Sequence, residues 1–270
     1  MTIHQTAIVD KGAKIGDNVS IGPYCVIGSS VTLGDDVIIK NHVVIDGITS
    51  IGSGSIIYSF ASIGSNPQDL KYNGEKSKTV IGKNNIIREY VTIQPGTKSG
   101  GMITSVGNDC LFMIGAHIAH DCKLGNNIIL ANYVSLGGHV EIGDYAIIGG
   151  MSAVLQKVRI GNHAMLGGLS GLDSDLIPFG IAKNDRAKLS GLNLIGMKRR
   201  NFDHTKSLEA NRIIKSMLKL NHNNVINSES EEIEKKLKNH EDNKIIQDIT
   251  KFITQGPRRN ICGLKKCKQH

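Results

Sequence analysis

Residues 15–45, IGDNVSIGPYCVIGSSVTLGDDVIIKNHVVI, repeat a pattern every six positions. An aliphatic residue opens each hexad, a glycine or small polar residue usually follows it, and the fifth position is small or β-branched. A period of six matches neither the 3.6-residue turn of a helix nor the alternation of a long strand. It predicts a coil whose short faces take one hexad each, the hexapeptide parallel β-helix.

The hexad repeat extends over the first 172 residues, with two interruptions and one aromatic exception. Three hexads form one triangular coil, so residues 18 apart in sequence stack at a strand spacing of about 4.8 Å. The residues that open the hexads are Ile3, Val9, Ile15, Ile21, Ile27, Leu33, Ile39, Ile45, Ile51, Ile57, Ile63, Ile81, Ile87, Ile93, Val106, Phe112, Ile118, Leu124, Leu130, Leu136, Ile142, Ile148, Val154, Ile160, Leu166 and Leu172. We ascribe the glycines after them to corners, which need backbone conformations that bulkier residues adopt at a cost.

The two interruptions are residues 65–80 (SNPQDLKYNGEKSKTV) and 98–105 (KSGGMITS). Each breaks the register and then lets it resume. Loops that leave a rigid scaffold commonly carry binding or catalytic residues. We therefore expect these two segments to contribute to a functional site.

Beyond the repeat, the sequence predicts a β-helix domain over 1–185, a helical domain over 186–256 and a solvated basic tail over 257–270. Pro178 and Gly180 indicate an irregular connector. Apolar spacing of 3.6 residues predicts three helices that cap the open end of the coil. Their apolar positions are Leu208, Ile213, Ile214, Met217 and Leu218 in the first, Ile233 and Leu237 after a capping box at Ser228 and Glu231 in the second, and Ile245, Ile246, Ile249, Phe252 and Ile253 in the third.

Composition restricts the functional classes. No apolar run reaches the 18 residues of a membrane span, and the first residues lack a signal-peptide pattern, so we expect a cytoplasmic protein with no stable membrane insertion. The net charge of +8 is not accompanied by a nucleic-acid recognition motif, so we expect no nucleic-acid partner. Cys25, Cys110 and Cys122 occupy the inward fifth position, and Cys262 and Cys267 lie in the basic tail without nearby histidines. We therefore predict no metal and no cofactor.

The segment GAHIAHD, residues 115–121, holds the clearest chemistry. His120 and Asp121 point outward in their hexad, and the 18-residue period stacks His120 with Gly138 and Gln156, with His139 beside the glycine. An imidazole next to an accessible glycine N–H suits acyl transfer, since the ring removes a proton and the N–H stabilises an oxyanion. Asp121 would fix the imidazole tautomer.

Three other interpretations compete with acyl transfer. Histidines on a β-wall are often ordinary surface residues, an interpretation that the clustering of three histidines in adjacent coils weakens. Histidines across a trimer seam can bind zinc in hexapeptide carbonic anhydrases, but the spacing of His117 and His120 is too narrow for that pair. Gly52 and Gly54 start a dinucleotide-binding pattern, yet Ile57 occupies its third glycine position and no helix follows.

Five segments carry a specific family resemblance: HVVIDG at 42–47, FASIGSNPQDLKYNGE at 60–75, IGAHIAHDCKLGNN at 114–127, LGGHVEIGDYAIIGGMSAV at 136–154 and GMKRRNF at 196–202. With them, the sequence resembles the UDP-N-acetylglucosamine acyltransferases of lipid A biosynthesis up to about residue 220. The resemblance implies a left-handed coil and transfer of an (R)-3-hydroxyacyl group from acyl carrier protein to the 3-position of UDP-N-acetylglucosamine. A triangular column also favours a homotrimer with sites between neighbouring walls.

The resemblance also implies roles for individual residues. His120 is similar to the general base, Asp121 to its orienting partner and Gly138 to the oxyanion donor. The residues that would contact the sugar nucleotide are Gln68, Asp69, Lys71, His117, Gln156, Asn193 and Arg200. His139 and Arg199 would lie near the path of the acyl chain or the carrier protein, and Gly168 would lie at the end of the acyl groove.

The sequence departs from the family pattern at Leu155 and Ile195, where a histidine and a glutamate are usual, and at Gln94 and Pro95, which replace a His-Arg pair. The nearest enzyme alternative is the related N-acyltransferase acting on 3-O-acylated UDP-glucosamine. That family carries an extra domain before the hexads, whereas the repeat here starts at Ile3.

Overall fold

The computed structural model describes residues 1–222, 237, 240, 242–255 and 260–263. The predicted capping box at Ser228 and Glu231, the apolar Ile233 and the basic residues of the tail lie outside this part of the chain. Leu237, from the same predicted helix, is described and buried.

In the described residues, the strands form the three walls of a prism, parallel throughout except for one terminal hairpin. The first wall contains β1 (Thr2–Ile3), β4 (Ser20–Ile21), β7 (Ile38–Ile39), β10 (Ile56–Ile57), β13 (Ile86–Ile87), β16 (Leu111–Phe112), β19 (Ile129–Leu130), β22 (Ile147–Ile148), β25 (Met165–Leu166), β27 (Gly180–Lys183) and β28 (Lys188–Leu192). The second wall contains β2 (Ile8–Val9), β5 (Val26–Ile27), β8 (Val44–Ile45), β11 (Ser62–Ile63), β14 (Thr92–Ile93), β17 (His117–Ile118), β20 (Ser135–Leu136), β23 (Ala153–Val154) and β26 (Gly171–Leu172). The third wall contains β3 (Lys14–Ile15), β6 (Thr32–Leu33), β9 (Ile48–Ile51), β12 (Lys78–Ile81), β15 (Ile103–Val106), β18 (Lys123–Leu124), β21 (Glu141–Ile142) and β24 (Arg159–Ile160).

The core is a column of stacked hexad openers. Ile27 pairs with Ile45 and Ile45 with Ile63, each 18 positions further along, and all three are fully buried. The small fifth-position residues fill the space beside them, including Cys25, Cys110 and Cys122. The six-residue period therefore predicted the core correctly. Only the first coil, at the end of the stack, leaves an opener such as Ile3 exposed.

The glycines at the second hexad position are required for a different structural reason from the one expected. Gly22, Gly34 and Gly107 lack left-handed φ values, but a Cβ on each would come within 3.0 Å of backbone atoms in the next coil. The left-handed residue of a corner is instead the fourth of its hexad, as in Tyr24 (φ 59°) and Asp36 (φ 58°). Glycine is thus required by the close approach of coils rather than by the turn.

The corners form three edges of the prism, which we name by the walls they join. The first corner lies between the first and second walls, the second between the second and third, and the third between the third and first. Their left-handed residues include Tyr24, His42, Phe60, Tyr90, Gly115, Tyr133, Met151 and Leu169 at the first corner, Asp121, His139 and Lys157 at the second, and Asn18, Asp36, Asn84, Asp109, Asn127, Tyr145 and His163 at the third.

Both interruptions leave the prism at the second corner. The first excursion runs over 64–77 between β11 and β12, and the second over 94–102 between β14 and β15. Residues 78–80 and 103–105, which the sequence assigned to the excursions, belong to the strands that follow. The two excursions therefore lie side by side over one edge of the column.

The end of the coil is closed by a hairpin and helices. The predicted irregular connector contains the antiparallel pair β27 and β28, which continues the first wall. Three described helices follow: α1 (Leu194–Arg199), α2 (His204–His222) and α3 (Lys244–Thr254).

The buried face of α2 differs in part from the predicted one. It contains Ser207, Ala210, Ile214 and Met217, whereas Leu208, predicted to be part of it, is exposed. The α3 prediction is confirmed, since Ile245, Ile246 and Ile249 are buried in the same core as the coil.

Part of the predicted solvated tail is packed. Residues 260–263 return to the coil, where the Cys262 N–H donates to the Asp175 carbonyl at 2.8 Å. The Cys262 side chain is buried. No described helix is long and apolar enough to span a bilayer.

Candidate active site

A cleft of about 710 Å³ opens at the second corner, between the excursions and the outer surface of the coils. It brings together six residues that the sequence singled out: Gln68, Asp69, Lys71, His120, His139 and Gln156. Leu70, Ser99, Glu141, Lys157 and Arg159 complete its lining. The first excursion and the repeat therefore build one site, although they are distant in sequence.

His120 is held in a fixed orientation at this cleft. Its Nδ1 donates to Oδ2 of Asp121 at 2.8 Å, and its side chain is 15% exposed. Within the described part of the chain, no hydrogen bond is made by the other ring nitrogen, Nε2. The arrangement fixes the tautomer that leaves Nε2 able to accept a proton.

Asp121 projects from the coil as expected, but it is covered rather than solvated. The second excursion lies over it, where Thr97 donates its N–H to Oδ1 at 2.9 Å and its hydroxyl to Oδ2 at 2.6 Å. The Asp121 N–H donates to the Thr104 hydroxyl at 2.7 Å. Neither threonine was predicted as a site residue. The sequence signal near them was the second interruption, which begins directly after Thr97 and contains Thr104.

Gly138 lies one coil beyond His120, as the period predicts, and the imidazole packs against its α-carbon. A Cβ at this position would lie 2.5 Å from Cε1 and 2.6 Å from Nε2 of His120. The Gly138 carbonyl accepts the Lys157 N–H, while its own N–H has no hydrogen-bond acceptor among the described residues. A glycine is needed here because any side chain would collide with the His120 ring.

Two further histidines flank His120. The His139 ring lies edge-on to it at 5.1 Å, and burial lowers the pKa of His139. Burial, and secondly the charge of His120, lower the pKa of His117, whose Nδ1 is 2.7 Å from the Thr92 hydroxyl on the second wall. Both flanking rings are therefore neutral near pH 7. His117 does not line the cleft.

The donor atoms of His120, Asp121 and His139 lie within 4.8 Å of one another, a spacing that a metal ion could bridge. However, the Asp121 carboxylate already accepts three hydrogen bonds, from His120 and twice from Thr97. A metal would have to displace them, so the donor set fits a hydrogen-bonded pair better than a metal centre.

A thiolate nucleophile does not fit the site. Burial raises the pKa of Cys122, next to Asp121 in sequence, to about 12. Its thiol is directed at the Gly137 carbonyl rather than at the cleft. Cys122 is therefore a structural residue.

The remaining predicted residues do not reach this cleft within one chain. Asn193 caps α1, accepting the Gly196 N–H at 3.0 Å. Arg200, which follows exposed Arg199, lies over the Tyr145 ring at 5.2 Å, at the third corner. Gly168 is exposed at the first corner. The departures Leu155 and Ile195 are also exposed.

Comparisons with known proteins identify the relatives of this chain. Residues 175–262 match the family described as UDP N-acetylglucosamine O-acyltransferase, Domain 2, and residues 12–47 and 103–138 match bacterial transferase hexapeptide repeats. The acyl-[acyl-carrier-protein]–UDP-N-acetylglucosamine O-acyltransferase of Rickettsia prowazekii is 54% identical, with 98% of both chains covered.

Solved structures give the same result. LpxA from Acinetobacter baumannii is similar with a TM-score of 0.91 at 35% identity, over 97% of this chain and 100% of that one. The UDP-N-acetylglucosamine O-acyltransferase of Moraxella catarrhalis has a TM-score of 0.86 at 39% identity, over 97% and 99%. The fold is thus the left-handed parallel β-helix that the sequence implied. The chain belongs to the family of acyl-[acyl-carrier-protein]–UDP-N-acetylglucosamine O-acyltransferases.

Proposed function

We propose that the protein transfers an (R)-3-hydroxyacyl group from acyl carrier protein to the 3-hydroxyl of UDP-N-acetylglucosamine, the first step of lipid A biosynthesis. One observation carries the proposal: at the edge of a cleft, the His120 imidazole, bound through Nδ1 to buried Asp121, packs against the α-carbon of Gly138, whose N–H has no acceptor among the described residues. The relatives' shared name favours an oxygen acceptor over the N-acyltransferase alternative.

In this mechanism, Nε2 of His120 removes the proton from the sugar 3-hydroxyl as its oxygen attacks the thioester carbonyl carbon. The carbonyl oxygen becomes an oxyanion that accepts the Gly138 N–H. Collapse of the tetrahedral intermediate breaks the C–S bond, and the carrier thiolate takes the proton back from His120. The products are the O-acyl sugar and the free carrier thiol, with no covalent enzyme intermediate.

Asp121 supports both halves of this cycle. Its carboxylate holds Nδ1–H in place while His120 is neutral, and it stabilises the imidazolium that forms after proton removal. Because His117 and His139 have lowered pKa values, they do not add positive charge that would oppose this step.

Substrate recognition divides between two regions. We infer that Gln68, Asp69 and Lys71 on the first excursion hold the nucleotide sugar together with Gln156 on the coil, because all four line the same cleft as His120. Asn193, Arg199 and Arg200 are the further nucleotide and carrier contacts in this proposal. Arg200 contacts Tyr145 at the third corner, away from this cleft.

A homotrimer resolves this separation. In the trimer that we propose, the third corner and α1 of one chain lie against the second corner of its neighbour, so that each cleft is built from two copies. The first corner also carries exposed side chains suited to self-association. Its rings stack in a row, from Tyr24 through His42 and Phe60 to Tyr90, at centroid distances of 5.0, 5.1 and 5.1 Å.

The proposal places the reaction in the cytoplasm. The four described cysteines are all unpaired thiols, as is usual in a reducing compartment. Basic Lys198, Arg199 and Arg200 around α1 would attract an acidic carrier protein.

The test is product identification with the purified protein. It is supplied with a ladder of (R)-3-hydroxyacyl carrier proteins and with either UDP-N-acetylglucosamine or its 3-amino analogue. We expect mass spectrometry to detect a 3-O-acyl sugar, and His120→Ala, at wild-type assembled mass, to lose about 10²–10⁴-fold in turnover. No sugar product, or near-normal turnover by His120→Ala, would refute the proposal.

A further inference from the structure

We propose that Thr97 is a positioning residue of the reaction, which clamps the Asp121 carboxylate and through it orients His120. The inference rests on the proposed role of His120 as the base. It assigns a task to the second excursion, which the mechanism above does not use.

Thr97 contacts both oxygens of the carboxylate. Its N–H donates to Oδ1 at 2.9 Å and its hydroxyl donates to Oδ2 at 2.6 Å, the same oxygen that accepts Nδ1–H of His120. Thr97 is 2% exposed, so water does not compete for these bonds. A two-point contact of this kind prevents the carboxylate from rotating about the Cβ–Cγ bond of Asp121.

The shape of the second excursion keeps Thr97 in place. The Thr97 carbonyl accepts the N–H groups of Gly100, at 3.1 Å, and Met102, at 3.0 Å, which closes a compact turn over Asp121. A Cβ on Gly100 would come within 2.0 Å of the Asp121 carboxyl carbon. The excursion therefore touches the carboxylate along its backbone as well as through Thr97.

Residues of the first excursion hydrogen-bond to the second excursion on either side of Thr97. The Glu75 carboxylate accepts the Lys98 N–H at 3.0 Å and the Asn73 N–H at 2.8 Å, and the Gln94 amide oxygen accepts the Gln68 N–H at 3.2 Å. Gln94 is one of the residues that depart from the family pattern. The residues flanking Thr97 are thus tied to the segment proposed to hold the sugar nucleotide.

If Thr97 orients the base, removing its hydroxyl should slow proton transfer without weakening binding of the acceptor, because Thr97 lies behind Asp121 and does not line the cleft. For Thr97→Val we expect kcat to fall about 10–100-fold, the size of one hydrogen bond to a charged group. KM for UDP-N-acetylglucosamine should stay within about threefold of wild type, and Thr97→Ser should restore most of kcat.

Thr79→Val is the matched control. Thr79 pairs in register with Thr104 on the third wall, is fully buried, and its hydroxyl has no partner among the described residues. The same hydroxyl-to-methyl change there should leave kcat unaltered.

A double-mutant cycle separates positioning from a general structural role. Because Thr97 acts through His120, Thr97→Val should cost nothing further in a His120→Ala background, whereas damage to the fold would lower the residual activity too. Gly100→Ala, which pushes the turn off Asp121 while keeping the Thr97 hydroxyl, should lower kcat in the same way.

The inference is overturned if Thr97→Val keeps the kcat of Thr79→Val, if only KM changes, or if the loss persists unchanged beside His120→Ala. Failure of the proposed function is a separate result, since full activity of His120→Ala alone would reveal it. A kcat loss confined to chains with an intact His120 supports the assignment.

Discussion

Gly138→Ala should lower kcat, because the added methyl group would clash with the His120 ring. The new Cβ would lie 2.5 Å from Cε1 and 2.6 Å from Nε2 of His120, against an ordinary contact of 3.4–4 Å. The backbone at Gly138 lies in the neighbouring coil and is fixed by the Lys157 N–H, so the imidazole must move instead. The substitution adds no new polar group, and the Gly138 N–H remains.

The size of the kcat loss follows from how far the His120 ring must move. The ring has to retreat by about 1 Å, which is enough to break its 2.8 Å bond to Asp121. A misplacement of about 1 Å in a catalytic group costs on the order of 10²-fold in rate. We therefore expect kcat to fall about 100-fold, with little loss of stability because the His120 ring can move toward the cleft.

The assay is steady-state acyl transfer with both substrates varied, together with thermal unfolding of each variant. Gly171→Ala is the control, because a Cβ there meets only ordinary contacts of 3.6 and 3.8 Å. A Gly138→Ala enzyme with kcat within about threefold of wild type would refute the packing of His120 on Gly138 as the source of its orientation.

Three further predictions concern stability and the carrier protein. Burial lowers the pKa of His163 to about 4. Between about pH 6.5 and pH 4 the unfolded state therefore binds a proton that the folded state does not, so the free energy of unfolding should fall by up to about 3 kcal/mol as the pH drops through this range. His163→Phe keeps the ring stack and should flatten that dependence in urea unfolding at several pH values. Arg159→Met removes the guanidinium that pairs with Oδ2 of the buried Asp175 at 2.7 Å and keeps only the Arg159 N–H to Oδ1. It should cost about 3–5 kcal/mol in the same assay, and a loss below about 1 kcal/mol would contradict this. Added salt should raise KM for the carrier protein more than it lowers kcat if Lys198 and Arg199 attract it, and a salt-independent KM would count against that attraction.

The repeat made most of the fold predictable. A period of six places Ile27, Ile45 and Ile63 in one column, and no other regular structure buries that pattern. The hairpin β27–β28 was not predictable in this way, because it follows the repeat and its stability comes from packing against the wall and α2 rather than from its own pattern. The same holds for Cys262, which a basic tail sequence gave no reason to place in the core.

The site was predictable where it follows the period and not where it depends on loop paths. Adding 18 brought His120, Gly138 and Gln156 together. Thr97 was missed because the register break locates an excursion but does not show that its chain folds back over Asp121. Nor can the repeat show that Arg200 lies at a different corner from His120, since that depends on how α1 packs against Tyr145.

The central claim is that each cleft joins His120 of one chain to Arg200, which caps the end of α1, in the next. Trimers assembled from equal amounts of His120→Ala and Arg200→Ala chains test it most directly. Each variant alone should be nearly inactive, while random mixing should restore about a quarter of wild-type activity, because one cleft in four then receives both intact residues. Mixed trimers no more active than the average of the two parents would contradict the claim.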